Sequence, residues 1–411
     1  MTDYEPSLKR TLSLPMVTLY GLGTIIGAGI YVLIGEVVAI AGYLTPAAFL
    51  LASIIAAFSA FAYAELSSRF PLSAGEAIYV ERAFSLRAYS LVIGLLMVFV
   101  GVISSATLVK GFVGYLDYLV VVDEHVAMVL LVLALGGVAI WGIAQSAWVA
   151  VVTTLVEIAG LLIIIWVARD NLAGVPMLLE QVSPQFAADG WSAIVAGAFI
   201  AFFAFLGFED IVNVAEEVKN PTRNLPLAII LSLLISALLY ITVSVVSIAT
   251  VAPAELAATS APLALVYERA AAGSPLLIVV VSIAAIINGT LIMVVMATRI
   301  LYGMSRQQWL PSSLSRVSAT TRTPVFTTVL ITALILIFAL WLPIVTLAAT
   351  TSLITLLVFF SVNFALLKIK LDESGHRQYP RAAHGISIWI PAMGMLSSAA
   401  FILAQAYYWL K

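Results

Sequence analysis

Four glycines fall within the run GLGTIIGAGIY, at Gly21, Gly23, Gly27 and Gly29 of the first apolar stretch. A dinucleotide-binding loop is excluded, because three residues rather than two separate Gly23 from Gly27 and no strand precedes the run. Small residues also let membrane helices pack closely, but these positions do not share one helical face. We therefore favour local unwinding between about Thr24 and Gly29 over packing alone. Unwinding would free the amides of Gly27, Ala28 and Gly29 at the positive end of a half-helix, a setting that suits a carboxylate. Carbonyls such as that of Ile25 would lose their partners and could accept from an ammonium group. One broken helix would then hold both ends of a zwitterion.

A second interruption follows in AFFAFLGFEDIVNVAEEVKNP, where Gly207 stands beside Glu209 and Asp210. Ionisable groups at membrane depth are costly and default to functional sites. Adjacent helical positions point about 100° apart, so at most one of the two acids should face a common site. Glu209 is the stronger functional candidate, against the plainer reading of a protonated acid that bonds its neighbours. Phe203 and Leu206 precede the break, and the Phe203 ring could cap a solute there. Glu157 lies near the centre of WVAVVTTLVEIAGLLIIIWVAR. An acid at that depth costs about 2.5–3.5 kcal/mol on insertion scales. Burial disfavours the charged form, so a titrating, coupling-ion role is more economical than a structural hydrogen bond. Protonated, it could donate to a free carbonyl of the first broken helix; ionised, it could hold a cation.

Glu36 could serve an outer vestibule or pair within the bundle. Asn288, Thr350, Thr351 and Ser352 could touch solute, although such side chains more often cross-link helices. Arg299 and Arg306 read as anchors at the inner leaflet. The three histidines fall in or near loops without metal spacing, and no cofactor is expected.

The elements that must position these groups are membrane helices. Of 411 residues, 63% are hydrophobic and 10% charged, whereas soluble domains are nearer half apolar and a quarter charged. The net charge of −2 argues against nucleic acid as a partner. With no cysteine, disulfides, thiolate metal sites and cysteine nucleophiles are excluded. The polar start is not followed by a cleavage site, so the first apolar stretch is expected to remain as a helix. Runs of about 20 apolar residues give about 11 spans, near 14–41, 46–68, 88–116, 126–144, 147–168, 190–215, 225–250, 275–304, 325–342, 344–367 and 386–409. Pro46, Pro226, Pro275 and Pro324 are expected at or near helix starts. The stretch 71–86 reads as a cytoplasmic link, and 262–272 as a short amphipathic helix on the other side.

With the N-terminus in the cytoplasm, the inner side holds all but four of the 19 lysines and arginines, Lys9, Arg322 and Arg377 among them. The outer side holds Lys110, Arg169, Arg269 and Lys411. An odd helix count then puts the C-terminus outside. The broken spans are five apart, so one half runs opposite to the other, as in an inverted repeat with its site between the halves.

In order along the chain come Ile26-Gly27-Ala28-Gly29-Ile30-Tyr31 with Gly35-Glu36, Tyr63-Ala64-Glu65-Leu66, Phe70-Pro71, Gly75-Glu76-Ala77 and Tyr79. Phe205-Leu206-Gly207-Phe208-Glu209, Glu216-Glu217-Val218-Lys219-Asn220-Pro221, Arg223, Pro226, Arg299 to Arg306 and Arg322-Thr323-Pro324 follow. In these motifs the chain resembles the amino acid–polyamine–organocation superfamily, near the prokaryotic permeases related to cationic amino acid transporters. The resemblance implies an all-α polytopic fold with a five-plus-five inverted-repeat, LeuT-like core: repeat one at about 14–168, repeat two at about 190–367, and an extra helix at 386–409. The whole chain, 1–411, would be one permease domain working by alternating access.

By the same resemblance, the substrate carboxylate meets the amides around Gly27, Ala28 and Gly29. Its amino group meets carbonyls near Ile25, Phe203 and Leu206. Phe203 takes the place of an aromatic gate and Glu209 that of a pH-sensing or gating acid. Glu157 stands where several proton-coupled relatives carry lysine, so the coupling mechanism does not carry over. Many members have twelve helices rather than eleven.

These readings converge on a secondary transporter in the cytoplasmic membrane, carrying an amino acid with protons. Sodium coupling and amino acid or polyamine exchange are the alternatives within transport. A channel would need a periodic pore lining, and an enzyme a catalytic constellation; neither pattern is present in the sequence. No obligate protein partner is evident.

Overall fold

A computed structural model describes residues 10, 12–27, 29–72, 75–141, 147–174, 190–318, 321, 323–375, 378–383 and 385–410. Ala28, Lys9, Arg322, Arg377 and Lys411 lie outside the described residues. Almost everything described is helical; the only strand-like feature among the described residues is a parallel bridge between Leu12 and Val218. Its bonds, Leu12 N–H to the Glu217 carbonyl (3.0 Å) and Lys219 N–H to the Leu12 carbonyl (2.9 Å), tie the chain start to the far side of the second break.

The first span is two helices, α1 (Leu14–Ile26) and α2 (Ile30–Ala41), followed by α3 (Thr45–Arg69). The polar link forms α4 (Gly75–Phe84), and α5 (Arg87–Leu116), α6 (Glu124–Trp141) and α7 (Ala147–Ala168) follow. The chain continues through α8 (Gly190–Phe203), a 3₁₀ helix at Glu209–Glu217, and α9 (Pro221–Thr250). Two short helices, α10 (Pro253–Ala258) and α11 (Pro262–Ala271), precede α12 (Leu276–Arg306), α13 (Val325–Trp341), α14 (Ile344–Ser374) and α15 (Trp389–Leu410). Among the described residues, seven helical stretches are long and apolar enough to cross a bilayer, and α1, α6, α8 and α13 are shorter apolar helices. Leu238 and Leu403, each 70% exposed, belong to apolar faces of the kind a bilayer covers.

Proline placement mostly follows the missing N–H. Pro46, Pro275 and Pro324 sit at or just before helix starts. Pro226 is a correction: Pro221 takes the first position of α9, which begins before the expected 225, and Pro226 falls within its second turn. The carbonyl that an N–H there would have served, that of Thr222, accepts instead from Ser68 Oγ at 2.8 Å.

Helices five spans apart pack on each other: α2 on α8, α3 on α9, α5 on α12 and α6 on α13. α1 also packs on α9 and α3 on α8, so the two broken spans and their successors form one bundle. Gly207, at φ +124°, sits inside that bundle against the end of α1. A Cβ there would sit 2.7 Å from the Thr24 carbonyl carbon and 2.8 Å from the Ile25 nitrogen, both backbone atoms.

We expect Gly207→Ala to lower stability by at least about 2 kcal/mol, from positive φ and backbone overlap together. Gly303→Ala in α12, where nothing lies within 4 Å of the new methyl, should be neutral or stabilising by up to about 1 kcal/mol. Thermal unfolding of the purified variants measures both.

Candidate functional site between the two broken helices

The α1–α2 break is shorter than the sequence suggests. Helix α1 runs through Thr24, Ile25 and Ile26, and Gly27 N–H still donates to the Gly23 carbonyl at 3.1 Å. The expectation of a free Gly27 amide is therefore corrected: its backbone remains α-like and completes the last turn of α1. Gly29 begins α2, with φ −107° and ψ −65°, and its carbonyl accepts the first intrahelical bond from Leu33 at 2.9 Å. The first-turn amides of α2 after it have lost intrahelical acceptors.

The second break is a tightening rather than an opening. Beyond Phe203 the amides of Ala204, Phe205 and Leu206 bond three residues back, to Ala201, Phe202 and Phe203. Gly207 reverses the backbone, and 3₁₀ bonding resumes from Asp210 and Ile211. The Glu209 carboxylate folds back to accept the Gly207 N–H at 2.9 Å. Asp210, equally buried, has neither oxygen hydrogen-bonded among the described residues.

The two breaks touch. A Cβ on Gly29 would overlap the Ala204 backbone, and Thr24 Oγ1 lies 2.9 Å from the Gly207 carbonyl and 2.8 Å from that of Gly21. Thr24 has one hydroxyl proton, so it donates to one carbonyl at a time. The Ile25 carbonyl is not bare as expected: Tyr240 on α9 donates to it at 2.8 Å. The Phe203 carbonyl likewise already accepts from Leu206 N–H at 3.1 Å. The Phe203 side chain closes the end of α8 and is fully buried.

Glu157 meets this region from α7. Asn288 Nδ2 on α12 donates to its Oε1 at 3.1 Å, while Oε2 has no partner among the described residues. Tyr31 in the first turn of α2 donates to the Glu157 backbone carbonyl at 2.7 Å. A Cβ on Gly27 would stand 3.0 Å from the Ala285 carbonyl of α12 and 3.4 Å from Gly289 Cα. Gly27, Tyr31, Glu157 and Asn288 are thus brought together where α1, α2, α7 and α12 meet. Of the α14 candidates, Thr350 bonds back to Thr346 of its own helix, whereas Thr351 and Ser352 are buried with unpartnered hydroxyls.

Sequence reasoning missed Thr24, Tyr31 and Tyr240 as hydrogen-bonding members. Thr24 and Tyr31 are hydroxyls flanked by apolar residues beside the glycine run, which was the available signal, whereas Tyr240 is one of several hydroxyls in its helix. It also missed a charge network at the lysine- and arginine-rich end. There Glu65 accepts from Arg69 Nη2 (2.6 Å) and Lys370 Nζ (2.8 Å), and Arg69 reaches on to Glu373. In α4, Glu76 is buried with Oε1 unpartnered, and burial pushes its carboxyl up to about 7.

Glu76 gives a signed expectation. Its folded value lies above the ordinary one of about 4.3, so its stabilising contribution is complete below that value. It is lost as pH rises through about 7. The melting temperature of the solubilised protein should fall between about pH 5 and pH 8 more than that of Glu76→Gln. Parallel curves for the two would contradict this.

Comparison with known proteins matches this chain to a family over nearly its whole length. The amino acid permease family model covers residues 12–409. The branched-chain amino acid permease BcaP of Bacillus subtilis is 28% identical over 98% of this chain and 89% of its own. The mitochondrial cationic amino acid transporter 3 of Arabidopsis thaliana is 29% identical over 89% of this chain, which spans 63% of that longer protein. The methylthioribose transporter of Bacillus subtilis is 29% identical over 89% of this chain and 82% of its own. With two interrupted helices in contact inside a multi-pass helical bundle, and this family match from end to end, the chain belongs to the amino acid permeases of the amino acid–polyamine–organocation superfamily, a family of transporters and not of enzymes.

Proposed function

We propose that this protein is a secondary active transporter that moves an amino acid across the cytoplasmic membrane by alternating access, coupled to protons. The observation that carries the proposal is the direct apposition of two mid-span backbone breaks. Unpaired backbone groups in hydrocarbon are satisfied internally or serve a polar cavity. The substrate carboxylate meets the amides at the start of α2, around Gly27, Ala28 and Gly29, with Gly29 foremost because the Gly27 N–H is engaged. The ammonium group meets the Ile25, Phe203 and Leu206 carbonyls beside Gly207, displacing the Tyr240 hydroxyl from Ile25. Phe203 closes over the solute, and Glu209 gates the second break by releasing or holding the Gly207 amide.

The packing of helices five spans apart supports an inverted repeat of about 14–168 and 190–367, in eleven crossings with α15 outside the repeats. The lysine and arginine bias supports a cytoplasmic N-terminus. Glu157 is the coupling group. Asn288 donates to one oxygen and leaves Oε2 bare, an arrangement that accommodates a carboxylic acid with its proton on Oε2. Ionisation there leaves a charge at bilayer depth, which Tyr31 and the α1–α2 break must rearrange to stabilise. Coupling therefore passes through the first turn of α2, which also holds the substrate.

The names of the relatives point to branched-chain or cationic amino acids, and a thermal-shift screen of the purified protein against amino acids selects the substrate. Proteoliposomes under an imposed inward pH gradient should accumulate that amino acid. Uptake unchanged when the gradient is collapsed would remove the coupling claim and point to exchange, which counterflow into loaded vesicles detects. Glu157→Gln should retain counterflow while losing gradient-driven accumulation by about tenfold or more, the scale of one lost proton-coupled step of about 1.4 kcal/mol. Gradient-driven uptake that survives in Glu157→Gln would remove the assignment of that residue.

A further inference from the structure

A cavity of about 300 Å³ opens at the end of the bundle opposite the Glu65–Arg69 network. It is lined by Glu36 of α2, Lys110 of α5, Asp117, Glu124 of α6, and Ser260 just before α11. Glu36 is partly buried, and it has no hydrogen bond or ion pair among the described residues. Lys110 has only a loose partner, its Nζ lying 3.7 Å from Glu124 Oε1. Its side chain is 17% exposed, whereas that of Glu124 is 54% exposed. A contact of that length to a solvated partner is worth little.

This cavity is separate from the site between the breaks. Glu36 lies seven residues beyond Gly29 on the same helix, a rise of about 10 Å. Below the cavity, Tyr115 of α5 donates to the Tyr31 carbonyl at 2.7 Å. The absent side chains of Gly35, Gly111 and Gly114 let α2, α5 and the segment before α11 meet: Cβ atoms there would overlap Pro262, Val32 and Ser260. The floor is thus built from packed backbone, and the charges stand above it.

The lining carries the two groups an amino acid zwitterion requires, a carboxylate lacking a cation and an ammonium group held loosely. Its volume is at the small end of ligand pockets, about 300–1,000 Å³, a fit for one free amino acid. Three carboxylates against one ammonium group leave the lining net negative, which disfavours an acidic side chain and admits a neutral or basic one.

We propose that this cavity is a second amino acid site, in which Glu36 takes the α-ammonium group and Lys110 the carboxylate of a neutral or basic amino acid before it reaches the broken helices. The proposal rests on the reading of this chain as an amino acid carrier only for the direction of travel; binding in the cavity is measured apart from transport.

The chain has no cysteine, so Ser260→Cys, at an exposed position of the lining, introduces a single thiol. The full-length variant in nanodiscs is labelled with methanethiosulfonate ethylammonium in the presence of each proteinogenic amino acid in turn. At a concentration about four times its dissociation constant, a ligand that occupies the cavity should slow labelling about fivefold. Neutral or basic amino acids should do so, and aspartate and glutamate should not. Adding Glu36→Gln or Lys110→Gln should abolish the protection, while Lys110→Arg should keep it; gel filtration confirms that each variant is folded.

Protection by no amino acid, or protection that survives both neutralisations, overturns the proposal. The second result would mean that solute between the breaks shields the thiol through the fold. Uptake by the unaltered protein is assayed in parallel: its absence would sink the carrier reading while the labelling result still decides the cavity.

Discussion

Every backbone polar group placed in hydrocarbon needs a partner inside the protein, because the bilayer core offers no water. That constraint governs the two interrupted spans. The gap after Ile26 and the turns from Ala204 to Gly207 forgo regular helical bonds, and side chains from several elements make up part of the deficit. Tyr240 covers the Ile25 carbonyl, Thr24 serves the Gly207 carbonyl, and Glu209 takes the Gly207 amide. Each break is completed partly by groups beyond itself, and Thr24 joins the two directly. Separating them costs several polar contacts at once, which a zwitterion presenting both donors and acceptors can offset.

The same constraint explains why glycine stands where it does. At Gly29 the backbone of one break lies against Ala204 of the other, and at Gly207 a side chain would intrude on the Thr24–Ile25 peptide. A methyl group at either point would hold the breaks apart. The ends of the bundle are organised differently. At the lysine- and arginine-rich end, Glu65 draws Arg69, Lys370 and the Ile386 amide around one buried carboxylate. At the opposite end, the lining of the cavity beside Glu36 leaves its charges largely unpaired.

Much of this was legible in the sequence, and the limits have physical causes. Long apolar runs located most helix starts to within a few residues, because lipid imposes length and composition together, while α14 continues to Ser374, beyond the apolar run that ends near 367. The glycine runs and the acids beside them marked both breaks and Glu157. What the runs could not tell is which neighbour completes each break. Tyr240 is more than two hundred residues from Ile25, and the Glu157–Asn288 bond joins two spans that apolar composition alone does not pair. The break in the first span was read as too long, because glycine permits unwinding without requiring it; Gly27 still closes the last turn of α1. Pro226 was placed at a helix start since nothing local revealed that Pro221 already occupied one.

The central claim, that the two breaks form one solute site, is tested most directly by a cryo-electron microscopy map of the full-length protein in nanodiscs, saturated with the amino acid it transports. The account predicts solute density between the start of α2 at Gly29 and the turn from Phe203 to Gly207, with Tyr240 withdrawn from the Ile25 carbonyl. Bound solute elsewhere, with Thr24 still against Gly207 and the breaks still in contact, would contradict it.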